Sequence, residues 1–192
     1  MTEVDGLVLA AGAGTRFGQR PKQLADLHGW PVLEWAVRAA CAATSLRRVV
    51  VVLGADADEI RAGVDLGRAD AVVCERWAAG QSASLRTGLE ALAGAERVLV
   101  MLGDAPLVTP EAIELIAAGP PRSRAVYGGQ PGHPVLLGPD EIAAATALAG
   151  DRGARGLLRG GALIEVGHLC SGRDVDTLKD LEEISNAARP VV

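Results

Sequence analysis

Gly6-Leu7-Val8-Leu9-Ala10-Ala11-Gly12-Ala13-Gly14-Thr15-Arg16-Phe17-Gly18-Gln19-Arg20-Pro21-Lys22 is an unbroken apolar run that passes directly into three glycines interleaved with three cations. Apolar side chains at consecutive positions, rather than alternating ones, belong to a strand covered on both faces. Two later runs, Arg48 to Leu53 and Arg97 to Leu102, have the same character, so the three are expected as central parallel strands. Helical spacing fills the intervals: Val32, Trp35, Ala36, Ala39 and Ala40, then Ile60 and Val64, then Leu85, Leu89 and Leu92. Strand and helix in alternation build right-handed βαβ units, and hence an α/β sandwich.

Outward from this core the pattern weakens. Ala71 to Cys74 reads as a minor strand, and Ala125 to Gly128 and Pro134 to Leu137 as short strands around Gly129-Gln130-Pro131-Gly132. Helices are expected over Pro139 to Leu148, Ala154 to Leu158 and Leu178 to Ala187, with a strand at Ala162 to Val166. No long Pro/Gly/Ser linker, fixed-period repeat or low-complexity tract divides the chain, so one domain over residues 1–192 is expected. Hydrophobic residues make up 49% of the chain and aromatics only 3%, which leaves the core to Ala, Val, Leu and Ile. A net charge of −5 provides no general basic field, and the scarcity of rings removes stacking platforms, so no nucleic-acid partner is expected. Cys41, Cys74 and Cys170 lie far apart with no CxxC pair, which argues against a zinc site or a disulfide framework and for a reduced compartment. Without a basic leader or an apolar run near the ~18 residues that span a bilayer, the expectation is a cytoplasmic protein with no membrane partner.

Ligands of open α/β sheets bind beyond the carboxyl ends of the strands. After the first strand, the segment Ala10 to Lys22 can converge backbone N–H groups on an anion, with Arg16 and Lys22 adding a fork and a point charge. It is not a Walker loop, since Phe17 occupies the place of the second required glycine. Nor is it a dinucleotide fingerprint: Gly12, Gly14 and Gly18 are spaced G-x-G-x-x-x-G, and Pro21 interrupts the helix that would come next. A tight-packing turn is the alternative for the glycines alone, and the interleaved Arg16, Arg20 and Lys22 favour phosphate. After the third strand, Gly103-Asp104-Ala105-Pro106 presents a carboxylate suited to a hard cation such as Mg²⁺, or else a turn aspartate bonded to its own backbone. Asp176 stands where a helix begins and reads on its own as an N-cap, with Thr177 and Asp180 resembling a capping box.

Taken together, these residues resemble the MobA-like nucleotidyltransferases, and among them most closely the molybdenum cofactor cytidylyltransferase branch. The resemblance runs nearly end to end. It rests on LAAGAGTRFG with Lys22, Gly80 to Leu89 (GQSASLRTGL), Gly103 to Val108 (GDAPLV), Gly132 to Val135 (GHPV), Gly150 to Arg155 (GDRGAR) and Asp174 to Thr177 (DVDT). It implies a three-layer Rossmann-like sandwich with a mostly parallel central sheet, as in nucleotide-diphospho-sugar transferases. Ala10, Ala11, Gly12, Gly14 and Thr15 would cradle the nucleotide, Arg16 and Lys22 would hold its triphosphate, and Asp104 and Asp176 would ligate Mg²⁺. Gly80, Gln81 and Ser84 would line base and ribose, Ser84 most directly. His133, Asp151 and Arg155 are the implied acceptor contacts. Ala11, where guanylyl-transferring relatives tend to have Gly, leans the nucleotide toward CTP over GTP. Ala105 replaces a common Gln and Ala83 a common Ser. Pro21-Lys22-Gln23 is also similar to the cytidylyltransferase of the methylerythritol phosphate pathway.

The reaction so implied is transfer of an NMP, CMP first, from NTP to a small phosphorylated acceptor such as molybdopterin or molybdenum cofactor, with release of pyrophosphate. Whether a molybdoenzyme or a chaperone receives the product is left open. A phosphate acceptor is already ionised at pH 7; for an alcohol acceptor, His133 or Asp151 would serve as base. His133 also fits a turn histidine, Asp151 and Arg155 an ion pair with each other, and Trp30, Trp35 and Trp77 packing rather than stacking. Two other classes stay in view: a nucleotide-binding regulator without turnover, and an NAD- or flavin-linked oxidoreductase suggested by the glycine turn.

Overall fold

The computed structural model describes residues 3–18, 20–145 and 157–187. The first apolar run forms β1 (Val4–Ala10), with every residue buried. The other two form β4 (Leu46–Leu53) and β6 (Val98–Leu102), which flank β1 in parallel. Beyond β4 lies β5 (Asp70–Val73), also parallel. On the other side β6 pairs antiparallel with β8 (Gln130–Leu137), which pairs with β7 (Arg124–Tyr127), and β9 (Leu163–Glu165) runs parallel to β7 at the far edge. The seven strands are ordered β5-β4-β1-β6-β8-β7-β9, so the sheet is parallel except for β8.

Alternate residues of the buried strands feed two cores. Val8 and Ala10 of β1, with Val49, Val51, Leu99 and Met101, pack under α1 (Val32–Ala42), α2 (Ala57–Gly63) and α4 (Pro110–Ala117). Leu7 and Leu9, with Val50, Val52, Val98 and Val100, pack under α3 (Gln81–Ala91) and α5 (Pro139–Ala145). Hence the three layers. Gly88 sets the approach of α3: a Cβ there would lie 2.3 Å from Leu7 Cδ1, so only glycine lets the helix sit this close to β1. The sequence reading does not include α4, although Thr109 caps it by accepting from the Ala112 N–H at 3.4 Å and Pro110 opens it. Also unread is a two-residue hairpin, β2 (Asp26–Leu27) with β3 (Trp30–Pro31), too short to leave a period. Of the helices expected over Pro139 to Leu148 and Ala154 to Leu158, residues 146–156 lie outside the described residues. The third, α6 (Leu178–Ala187), forms as expected.

A third apolar cluster fastens the loops at the carboxyl ends of the strands. Phe17 from the glycine turn, Leu27 from the hairpin, Val32 and Trp35 from α1, Leu107 from the turn after β6, Val175 from the segment before α6 (Leu178–Ala187) and Ile184 from that helix bury one another. Trp30 and Trp35 touch with ring centroids 4.3 Å apart, and Trp35 Nε1 donates to the Leu27 carbonyl at 2.8 Å, so both rings are structural as expected.

At the opposite rim Asp5, 1% exposed, ties β1 to β4. The register steps from Val4↔Leu46 to Gly6↔Val49, so β4 carries an extra residue and both Arg47 and Arg48 can face one carboxylate. Arg47 Nη2 and Arg48 Nη2 donate to Asp5 Oδ2 at 2.9 and 2.6 Å. Burial alone would raise the Asp5 pKa, but the hydrogen bonds from Arg48 and Arg47 outweigh it and hold it below the usual 3.8. The resulting stabilisation is complete above pH 3.8 and fades as pH falls through the lowered native value. Asp5→Asn should therefore lose about 1–3 kcal/mol at pH 7 in urea unfolding, with wild type and variant converging in acid.

Candidate active site

Over the carboxyl ends of β1 and β6 lies a cleft of about 420 Å³. Its floor is the glycine turn. The Ala10 and Gly12 carbonyls accept from Gln23 Nε2 at 3.1 and 2.9 Å, the Ala11 carbonyl from the Ala55 N–H at 3.2 Å, and the Gly14 carbonyl from the Phe17 N–H at 2.8 Å. By contrast, the N–H groups of Gly12, Ala13, Gly14, Thr15 and Arg16 donate to no described residue. A turn with these four carbonyls tied and these N–H groups unclaimed by any described residue is suited to an anion. Gly14 takes φ +57°, where L side chains are strained, whereas a Cβ on Gly12 would meet nothing within 4 Å. Tight packing therefore does not account for Gly12; the space beside it is open cleft.

Asp104 reaches this floor because β6 ends at Leu102 and the Gly103 N–H still bonds the Leu9 carbonyl of β1 at 2.9 Å. The Asp104 carbonyl then accepts the Val175 N–H at 2.8 Å, which brings Asp176 alongside although it is distant in the chain. The helix cap falls one residue later. Thr177 Oγ1 accepts the Asp180 N–H at 3.2 Å while Asp180 Oδ2 accepts the Thr177 N–H at 2.8 Å. The N-cap reading of Asp176 is thereby corrected: a better-placed hydroxyl does the capping and leaves its carboxylate free.

That carboxylate meets Lys22. Lys22 Nζ lies 2.5 Å from Asp104 Oδ2 and 3.0 Å from Asp176 Oδ1, and Arg16 Nη2 donates to Asp176 Oδ2 at 3.0 Å. Asp104 is likewise no self-bonded turn residue, since its carboxylate and carbonyl both serve other segments. Lys22 is 8% exposed, whereas the Arg16 side chain is 73% exposed, so the former is a built-in cation and the latter an arm reaching in from solvent. Burial works against the Lys22 ammonium, but the Asp104 charge and the hydrogen bonds to Asp104 and Asp176 prevail and hold its pKa above 10.5.

Two carboxylates converging on one cation are a hard-oxygen donor pair of the kind a divalent ion shares with phosphate oxygens. Among the described residues no group of three or more His, Cys, Asp and Glu could hold a metal, so the pair fits an ion completed by substrate, not a closed protein site.

The cleft brings together Ala10, Ala11, Gly12, Gly14, Thr15, Arg16, Lys22, Gly80, Gln81, Ser84, Asp104 and Asp176. Arg20 is not among its lining residues. Gly80 adopts φ 103°, turning the chain from a short 3₁₀ segment (Trp77–Ala79) into α3, so that Gln81 and Ser84 face the cleft while Ala83 lines the other side of α3. Ala105 is buried in the core between sheet and α1, away from the cleft. His133 is not in the lining either; it stands on β8, two residues before Val135 of the Val100↔Val135 pair, and borders a small apolar cavity beside Ala105. Asp151 and Arg155 lie outside the described residues. The lining also includes residues not assigned to the site from sequence, among them Gln23, whose signal was its place directly after Lys22, and Trp77, expected to pack, which also flanks the cleft.

A mostly parallel sheet with a donor-lined turn and a paired carboxylate at its carboxyl edge is the arrangement that a protein of the nucleotidyltransferase class requires. Residues 6–167 match the MobA-like NTP transferase domain, and the chain belongs to that family. It is 33% identical, over 93% of its own length and 94% of the relative's, to the nicotine blue oxidoreductase of Paenarthrobacter nicotinovorans. It is 44% identical to the 2-C-methyl-D-erythritol 4-phosphate cytidylyltransferase of Cereibacter sphaeroides, but over 56% of this chain and 49% of that one, so it spans about half the length of such relatives. The crystal structure of Rv0371c from Mycobacterium tuberculosis H37Rv in complex with manganese superposes with a TM-score of 0.80 at 29% identity, over 97% of this chain and 100% of that one. No helix among the described residues is long and apolar enough to cross a membrane.

Because the Lys22 pKa is raised on folding, its stabilisation is complete below pH 10.5 and lost as pH rises through the native value. In metal-free buffer, the unfolding free energy of the wild type should fall more steeply above pH 10.5 than that of Lys22→Met.

Proposed function

We propose that the chain transfers a nucleoside monophosphate, CMP in preference to GMP, from the triphosphate to a small phosphorylated acceptor such as molybdenum cofactor, with Mg²⁺ as its metal. The observation that carries this reading is the meeting of Asp104 and Asp176 at the Lys22 ammonium, beside a turn with five N–H groups that donate to no described residue. Free donors plus Arg16 and Lys22 suit a triphosphate. Asp104 and Asp176 would hold the divalent ion, which supplies charge neutralisation to the phosphates when bound. That Gly80, Gln81 and Ser84 line the same cleft supports their assignment to base and ribose. The cytidylyltransferase likeness and Ala11 support CTP. One continuous sheet joining both halves supports the single-domain reading.

The chemistry is an in-line displacement. An acceptor phosphate oxygen bonds to the α-phosphorus, the bond from that phosphorus to the α–β bridging oxygen breaks, and pyrophosphate leaves with the bond's electron pair. Lys22 and Arg16, drawn from the carboxylates to the phosphates, neutralise charge on the leaving group, so alignment and electrostatics provide the acceleration. Asp151, Arg155 and His133 remain assigned to the acceptor on sequence resemblance.

A second reading comes from the relative that matches this chain over nearly its full length and is named an oxidoreductase. A panel of CTP, GTP, ATP, UTP and NAD, each with and without Mg²⁺, separates the two by melting midpoint, because only a ligand that prefers the native form raises it. The expected result is a metal-dependent rise with CTP; a rise with NAD alone, or flavin absorbance in the purified protein, would favour redox chemistry. Midpoint shifts with nucleotide but no pyrophosphate from any acceptor would mark a regulator. Lys22→Ala and Asp104→Ala should stay folded and lower pyrophosphate release by about 10²-fold or more. Gly12→Ala should shift stability by less than about 0.5 kcal/mol, there being open space for its methyl, yet weaken nucleotide binding.

A further inference from the structure

We propose that Gln23 is a positioning residue for the nucleotide, holding the glycine turn so that its N–H groups face the triphosphate; this rests on the nucleotide-transfer reading above. Gln23 follows Lys22 in a 3₁₀ turn (Lys22–Leu24) and is 3% exposed. Its Nε2 donates to the Ala10 carbonyl and to the Gly12 carbonyl, at 3.1 and 2.9 Å. The amide orientation is set by these partners, since a reversed amide would place its oxygen against two carbonyl oxygens.

In a trans peptide unit the C=O and the next N–H point in opposite directions. Drawing the Gly12 carbonyl inward onto Gln23 therefore turns the Ala13 N–H outward, to the side where Ala13 lines the cleft. Of the four carbonyls tied down between Ala10 and Gly14, two are held by neighbouring backbone and two by this one side chain. Glycine alone does not impose the conformation. Gly12 lies outside the left-handed region and has no atom near its Cβ position, so without the amide the turn is free to rotate that peptide. Holding it beforehand spares the ordering entropy that the nucleotide would otherwise meet on binding.

The other end of the amide makes the same point. Gln23 Oε1 is buried and has no hydrogen-bond partner among the described residues. An unpaired buried oxygen lowers stability, and a Met of similar length would fill the space without it. What Gln contributes here is its two donors, both committed to the turn.

The test compares Gln23→Met, which removes donors and the unpaired oxygen together, with Gln23→Glu, which keeps the length but has no donors at pH 7. Amide hydrogen exchange is followed in the ligand-free proteins, and Kd is measured calorimetrically for CTP and GTP with Mg²⁺. In Gln23→Met the exchange of residues 11–14 should quicken selectively, and Kd for the nucleotide bound by wild type should rise about tenfold, the equivalent of one hydrogen bond. With the acceptor in hand, nucleotide KM should rise while kcat at saturation stays within about twofold. Gln23→Glu should move both readouts further the same way, and serves in place of the Met variant should that one fail to fold. Wild-type Kd together with unchanged exchange over residues 11–14 overturns the assignment, as does exchange quickened uniformly across the sheet, which marks a purely structural role. A wild-type protein that binds neither nucleotide refutes the transferase reading instead, while the exchange comparison still decides whether Gln23 holds the turn.

Discussion

One ammonium organises this molecule's working edge. Lys22 is buried between two carboxylates that come from residues 82 and 154 positions further along the chain. Neither Asp104 nor Asp176 could sit so close to the other without a cation between them, because like charges at that separation repel strongly in a partly dry site. The carboxylate pair is therefore kept together by the same residue that the proposed reaction later draws toward phosphate. Charges that a substrate can replace are what the proposed entry of a triphosphate and a metal relies on.

Apolar burial nearby sustains this arrangement against conformational entropy. Phe17, Leu107 and Val175 are each close in sequence to a charged member of the site, Arg16, Asp104 and Asp176 respectively, and all three enter one apolar cluster with α1 and α6. Each such side chain gains about 1.5–3 kcal/mol on full burial, which offsets part of the backbone entropy lost in ordering its loop. The backbone bond from Val175 to the Asp104 carbonyl adds direction to what the cluster supplies as adhesion. The polar chemistry is thus set on an apolar footing drawn from five parts of the chain.

Family membership and chemistry are not the same statement here. The MobA-like domain covers residues 6–167, yet a relative matching nearly the whole chain is named an oxidoreductase. A sheet edge with free N–H donors and a carboxylate pair can be turned to more than one reaction, because function resides in the site and not in the architecture. What leans this chain toward nucleotidyl transfer is that its donors, its cations and its hard-oxygen pair all face one cleft, the combination needed for phosphates with a metal.

Read as a string, the chain already determines its layers. Consecutive apolar residues at Gly6–Leu9, Val49–Leu53 and Val98–Leu102 leave no polar face for solvent, and glycine with cations after the first of them leaves few chemistries besides anion binding. These are short-range patterns, legible because a strand's or helix's period repeats within a few residues. Thr109-Pro110 was equally local, and α4 was there to be read. Convergence is another matter. That Thr177 caps α6 and releases Asp176, that Gln23 turns inward to two carbonyls, and that Trp77 borders the cleft while Trp35 packs beneath it all depend on side-chain directions at the ends of strands far apart in sequence. Such directions are set by the twist and register of neighbouring strands, and only the folded sheet decides them.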